Sequence, residues 1–246
     1  MFVDSDDFIH KDFVKNLYAA ILAANSDIAI CNYYRLNNGI KDVVKQFDLS
    51  SDTYITENIR AKSGITIWTG IYKKSLFYDY NLFFPEKLTY EDNGIMKALF
   101  LIAKTVFYID KPLYYYRTDN QSVSRSFNNY SFYDRLQTSE ILYNHFQRLG
   151  LFEKYPNELR QSFIKYYYIT SIIDTFNRFK PIPFDKIRHI QKNIKVFVSK
   201  EQLKNAIKKE NLKSRLILRL AYYPKPIVNV GYHILSGICT LKSKFR

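Results

Sequence analysis

Apolar residues recur along the first half of the chain with two different periods. Over residues 11–24, Phe13, Leu17, Ala20, Ile21 and Ala24 fall on one stripe at helical spacing and Asn25-Ser26 ends the repeat, which predicts an amphipathic helix. A strand is predicted at 27–34, where Ile28-Ala29-Ile30-Cys31 runs without a polar break. Asn37-Asn38-Gly39 reads as a turn, because Asn and Gly tolerate positive φ, and the polar stretch 49–56 reads as a surface loop. Residues 65–72 begin β-branched and alternating, which predicts a strand handing over to a short helical turn at 73–77. A helix is predicted at 95–103, then short strands at 106–109 and 113–117 parted by Asp110-Lys111-Pro112. From Ser131 onward the spacing is helical, with breaks at Gly150, Pro156, Pro181-Ile182-Pro183 and Pro224-Lys225-Pro226. The pattern divides near residue 125, mixed α/β before it and α after it.

A chain of 246 residues has room for one domain with an appendage and can bury a sizeable core. Its net charge of +14 is unevenly placed: residues 186–246 hold 15 Lys and Arg against two acids, whereas residues 1–185 hold 22 against 21. A basic tail of this kind attracts phosphates, either on nucleic acid or on an anionic membrane surface, and the preceding part needs no such partner. No nucleic-acid-binding motif accompanies the charge, so no nucleic acid is expected. Leu and Ile interleave with the basic residues around Leu212 to Leu220, which suits a helix lying on an anionic membrane or the solvated face of a bundle. The uncharged stretch 226–241 falls short of the roughly 20 apolar residues that span a bilayer. No signal-peptide pattern is visible, and Cys31 and Cys239 show no metal-ligand spacing.

Candidate chemistry rests on carboxylates. Met1-Phe2-Val3-Asp4-Ser5-Asp6-Asp7-Phe8-Ile9 places three acids within four residues, at the end of what reads as a very short strand. Such a group suits a hard divalent cation shared with substrate phosphates, or equally a solvated loop capping the helix that follows. Tyr90-Glu91-Asp92-Asn93 opens the predicted 95–103 helix, where carboxylates either cap the N-terminus or remove a proton from an acceptor hydroxyl. Trp68 and Tyr72 belong to Trp68-Thr69-Gly70-Ile71-Tyr72, and Trp68 is either core or a sugar platform. Arg117 ends Leu113-Tyr114-Tyr115-Tyr116-Arg117, ahead of Ser122.

These four segments, in this order, resemble the inverting glycosyltransferases of family 2 over about residues 1–125. The resemblance implies an α/β fold: the C-terminal half of a GT-A, Rossmann-like nucleotide-sugar transferase domain at 1–125, followed by a helical, basic region at 126–246. It implies that Asp6 is the direct ligand of Mn²⁺ or Mg²⁺, that Asp4 serves the metal or the ribose, and that Asp4, Asp7 and Arg117 contact the nucleotide sugar. It implies that Asp92, beside Glu91, is the general base and that Trp68 and Tyr72 wall the acceptor side. The expected partners are a nucleotide-sugar donor and a glycan or lipid-linked acceptor in bacterial capsule or other cell-surface polysaccharide synthesis. The expected location is the cytoplasm, with peripheral attachment to the inner face of the plasma membrane through the basic region.

Members of that family begin with strands that bind the base, roughly ninety residues before the acidic string, whereas here the string starts at residue 4. The expectation is therefore an N-terminally truncated chain whose missing half is supplied by a separate chain, or else a non-catalytic remnant that binds a membrane surface or a partner. Phosphatases of the haloacid dehalogenase type also open with Asp-x-Asp, but they favour Thr or Val where this chain has Phe8.

Overall fold

The computed structural model describes residues 1–64, 66–119, 126–224, 226–228 and 231–232. The expected strand start at Ile65, the loop at Ser122, Cys239 and most of the uncharged stretch 226–241 lie outside the described residues. The chain forms two units, one of residues 1–125 with 140–155 and one of residues 126–139 with 156–246.

In the first unit the strands, among the described residues, are β1 (Phe8–Ile9), β2 (Ile28–Asn37), β3 (Ile40–Val44), β4 (Thr53–Tyr54), β5 (Gly70–Tyr72) and β6 (Val106–Arg117). Its helices are α1 (Phe13–Ala23), α2 (Glu57–Lys62), α3 (Ser75–Tyr78) and α4 (Met96–Ile102). The fold is mixed α/β: β2 and β6 pair in parallel at the centre of the sheet, while β1 and β4 pair antiparallel with β6, and β3 and β5 antiparallel with β2. The unbroken apolar run of β2 explains its place, since Ile28, Ala29, Ile30 and Cys31 are all fully buried. The predicted stripe of α1 turns Phe13 and Leu17 into the same core.

Several elements differ from the periodicity. β2 continues to Asn37 and folds back as a hairpin through Asn38 (φ 47°) and Gly39 (φ 81°), a two-residue connection that needs positive φ at both positions. Strand β3 follows directly, and β4 lies inside the expected loop at 49–56. The expected strand at 65–72 is a 3₁₀ turn, Ile67–Thr69, followed by β5. Gly70 is required there, because a Cβ would sit 2.8 Å from the carbonyl oxygen of Ala29. The two strands expected at 106–109 and 113–117 are one strand, β6, carrying a register irregularity opposite Asn32. Pro112, which has no N–H to give a ladder, falls in that irregularity. Buried Asn32 fills the gap: its side chain donates to Asp110 at 2.8 Å and accepts from Tyr108 and from the Gln46 N–H, each at 2.9 Å.

Asp27 fixes the entry to β2. Its carboxylate takes Lys73 Nζ at 2.9 Å and the backbone N–H of Lys104 at 2.7 Å and of Thr105 at 3.3 Å. Burial opposes the charged form, but these donors outweigh it and hold Asp27 below the usual carboxylate range.

Helix α5 (Asp134–Arg148) gives its first six residues to the second unit and the remainder, with α6 (Leu151–Lys154), to the first. The second unit continues with α7 (Pro156–Phe163), a π-helical segment (Ile164–Thr170), α8 (Ser171–Arg178), α9 (Phe184–Phe197), α10 (Lys200–Lys208) and α11 (Leu212–Leu220). Its core includes Leu159, Tyr167, Tyr168, Ile172, Phe176, Ile187 and Ile190, none more than 1% exposed. The expected breaks are seen at Gly150 (φ 65°) and at Pro156, which begins α7, where a missing N–H costs nothing. Two further starts come from caps: Ser199 and Gln202 form a reciprocal capping box on α10, and the Asn211 side chain accepts from the Ser214 N–H at α11. Among the described residues no helix is long and apolar enough to cross a membrane.

Candidate functional site

The acidic string forms a turn, in which the Asp7 N–H donates to the Asp4 carbonyl at 3.1 Å. No strand runs through residues 1–7; β1 begins after the acids and pairs Phe8 with Tyr115 and Ile9 with Tyr114. The turn is therefore held from its far side, by β6. The buried Tyr114 hydroxyl donates to Asp7 Oδ2 at 2.9 Å and accepts from the Asp4 N–H at 3.1 Å. The Arg117 N–H donates to Asp7 Oδ1 at 2.8 Å. Both oxygens of Asp7 are thus engaged by protein donors, while Asp4 and Asp6 are exposed.

Trp68 lies behind this turn. It is 8% exposed and stacks on Tyr114 at 4.4 Å and on Tyr116 at 5.4 Å between centroids, with Tyr33 edge-on at 4.8 Å. It packs against the ring whose hydroxyl grips Asp7. Tyr72 is half-buried; its hydroxyl donates to the Ile67 carbonyl at 2.9 Å and its ring meets Phe2 at 6.2 Å. Phe2 also packs edge-on against Phe84 at 5.0 Å, which fixes the chain just before Asp4. The Arg117 side chain points its Nε toward Asp119 Oδ1 at 3.5 Å.

Glu91 and Asp92 do not belong to the first turn of α4. They form their own 3₁₀ turn, Glu91–Gly94, entered through Tyr90 in the left-handed region at φ 65° and ψ 33°. A bulky residue there costs about 1–3 kcal/mol, a strain more often found at functional sites than elsewhere. Asn93 holds Asp92 by two donors on one oxygen, its N–H at 2.8 Å and its Nδ2 at 3.1 Å, both to Oδ1. Both donors that Asn93 offers end on Oδ1.

Electrostatics link the two acidic segments. Partial desolvation lifts Asp4, although the residue as a whole is exposed, and the charges of Asp7, Asp6, Asp92 and Glu91 lift it further, to about 6. Burial also raises Asp92, against the Asn93 N–H and with the help of Glu91. Asp7 is raised by burial in spite of its bonds to the Arg117 N–H and the Tyr114 hydroxyl. The Tyr72 phenol is raised by burial first, then by Cys31 and Asp92. Asp4, Asp92, Glu91 and Tyr72 therefore act on one electrostatic region, although Asp4 and Asp92 are 88 positions apart.

This donor set is all oxygen and negatively charged. Among the described residues no three His, Cys, Asp or Glu side chains converge as a complete metal cage. A hard cation that takes one or two carboxylates and completes its shell with substrate phosphates and water fits such a set. Tyr114, to which the acidic motifs alone do not point, is the residue that holds the turn. Its signal is positional, since it lies in the strand facing the acids and is a fully buried tyrosine whose hydroxyl must find partners.

No protein-family model matches the chain. Glycosyltransferase GlyA of Streptococcus pneumoniae serotype 4 is 31% identical over 137 residues, which are 50% of this chain and 19% of GlyA. The proposed glycosyltransferase EpsH of Bacillus subtilis is 23% identical over 260 residues, 100% of this chain and 74% of EpsH. Among solved structures, Staphylococcus aureus TarS 1–349 in complex with UDP matches with a TM-score of 0.56 at 18% identity, covering 98% of this chain and 66% of that one. The chain thus shares the fold of TarS and spans from about a fifth to three quarters of the sequence relatives it matches.

Proposed function

We propose that the first unit transfers a sugar from a nucleotide-sugar donor to an acceptor hydroxyl with inversion, as a GT-A enzyme of the family 2 type. The observation that carries this reading is geometric: Tyr114 and the Arg117 N–H hold an acidic turn with Asp4 and Asp6 exposed, and Phe2, just before it, packs on Tyr72; the charges of Asp92 and Glu91 acting on Asp4 agree with it. The similarity to GlyA and EpsH supports a glycosyltransferase, and the UDP carried by TarS supports a nucleotide-sugar donor.

Asp92 is the proposed general base. Burial raises its proton affinity, which makes it a stronger base than an ordinary aspartate, and Asn93 occupies Oδ1 so that Oδ2 is left to accept the proton. As the acceptor oxygen bonds to the anomeric carbon, its proton passes to Asp92. The bond to the nucleoside diphosphate breaks on the opposite face, and its electron pair leaves with the diphosphate. Asp4 and Asp6 would hold Mn²⁺ or Mg²⁺, which when bound neutralises charge on the departing diphosphate. Tyr114 and the Arg117 N–H orient Asp7, which braces the turn that carries both ligands. Phe2 and Tyr72 form an apolar wall beside Asp92, in keeping with an acceptor side. The acceptor class we propose is a growing bacterial surface glycan, free or lipid-linked.

The test measures nucleotide release from a panel of nucleotide sugars with Mn²⁺, for the 246-residue chain and for a fusion carrying the N-terminal segment of EpsH. Release with one donor, reduced about 10²–10⁴-fold in Asp92→Asn, is the expected outcome. Normal turnover in Asp92→Asn removes the assignment of the base, and absence of release from both forms removes the reading as a whole.

A further inference from the structure

Within the second unit, α9, α10 and α11 surround a hollow of about 660 Å³, a size typical of small-molecule sites. Six cations line it: Lys195 from α9, Lys200, Lys204 and Lys208 at four-residue spacing on α10, and Arg215 and Arg219 on α11. No carboxylate lines it, and among the described residues none of the six is in an ion pair. Glu210, which lies between α10 and α11, is taken up by Lys165 at 2.6 Å. Arg215 Nε is buried without a hydrogen-bond partner among the described residues. Like charges at this spacing repel along a helix, and a buried unpaired donor carries a desolvation cost. An anion in the hollow would relieve the repulsion among the six cations; the Arg215 Nε itself is enclosed and not open to the hollow.

The remaining lining is largely apolar, from Val198, Leu203, Ile207 and Tyr222. Tyr222 is held by a 2.7 Å hydrogen bond between its hydroxyl and that of Tyr168. Tyr222 and Tyr223, each 52% exposed, follow the end of α11, and tyrosine is the kind of residue favoured where water meets lipid. A bare phosphate would leave the apolar wall unused, whereas an amphiphile with a phosphate at its polar end matches both halves of the lining.

We propose that this hollow binds the headgroup phosphate of an anionic membrane phospholipid, with its apolar wall taking the adjoining part of the acyl chains. The assignment is independent of the sugar-transfer reading, because none of these residues belongs to the acidic site. It is tested by co-sedimentation of the full chain with phosphatidylcholine vesicles, with and without phosphatidylglycerol. Binding is expected only with phosphatidylglycerol. The double variant Arg215→Gln/Arg219→Gln should weaken it roughly thirtyfold, two basic groups at about 1 kcal/mol each. Lys192→Gln/Lys213→Gln removes the same charge from outside the hollow and, with no contact to the phosphate to lose, should weaken binding by a clearly smaller factor.

Equal losses in the two doubles would reduce the effect to diffuse charge and overturn the site. Displacement of the protein from vesicles by submillimolar inorganic phosphate, or calorimetric binding of inorganic phosphate in that range, would make it a small-anion site and overturn the lipid. Should the arginine double fail the circular-dichroism check for folding, Lys204→Gln/Lys208→Gln carries the same expectation, and retention of full vesicle binding by that variant would equally overturn the proposal.

Discussion

Two residues carry opposed demands. Asp92 is raised by burial, so its ionised form opposes folding at neutral pH; that cost is absent below its unfolded value, grows as pH rises from there toward the folded one, and is complete above it. Asp92→Asn should therefore melt at a higher temperature than the parent at pH 7 while losing transfer, a stability gain that scanning calorimetry would show shrinking toward acid pH. Tyr114 is the reverse case, a group that stabilises and positions together. Tyr114→Phe keeps the stacking on Trp68 but strands the Asp4 N–H and Asp7 Oδ2, for an expected loss of about 1–2 kcal/mol in denaturant unfolding. If Tyr114 positions the acidic turn, the variant should also need more Mn²⁺ to reach half-maximal rate; an unchanged requirement would leave it a packing residue alone.

At the scale of elements, one joint of the sheet is ionic. Asp27 ties the start of β2 to the α4–β6 connection and to Lys73. Its depressed folded value means that the stabilisation is complete above the unfolded carboxylate range and is lost as pH falls through the folded value. Asp27→Ala should cost about 1–3 kcal/mol at pH 7, and parent and variant should converge in urea melts below about pH 4. The elements α1, β2 and α4 were legible because each turns apolar residues into the core at a regular spacing or in an unbroken run. Strand β3 escaped because four of its five residues are exposed, which leaves no apolar alternation to read, and β4 escaped because it has only two residues. The acidic string was legible as chemistry but not as geometry. It reads as the end of a strand, yet its support comes from Tyr114, more than a hundred residues later, a relation that no local pattern contains.

For the whole molecule, charge asymmetry was visible in the sequence but its use was not. Counting places 15 basic residues after residue 185, and only folding brings six of them, from three helices, around one hollow. The acidic site makes the converse prediction, that ligand binding there depends on a cation. UDP with Mn²⁺ should raise the unfolding temperature, by about 2.7 kcal/mol of stabilisation at a hundredfold excess over Kd, and EDTA should abolish the shift. A shift that survives EDTA would place UDP on groups other than Asp4 and Asp6. The irregularity in β6 reaches furthest. Between the pairs Cys31–Ile109 and Tyr33–Tyr114, β2 advances two residues and β6 five, an odd surplus. Side chains alternate along a strand, so the surplus reverses which parity of β6 looks toward the carboxylates. Shorten that passage by one residue and Tyr115 inherits the post of Tyr114: the count of residues between Ile109 and Leu113 acts as a selector of which phenol meets the acids, and an insertion or deletion there would rewire the site without touching any residue in it.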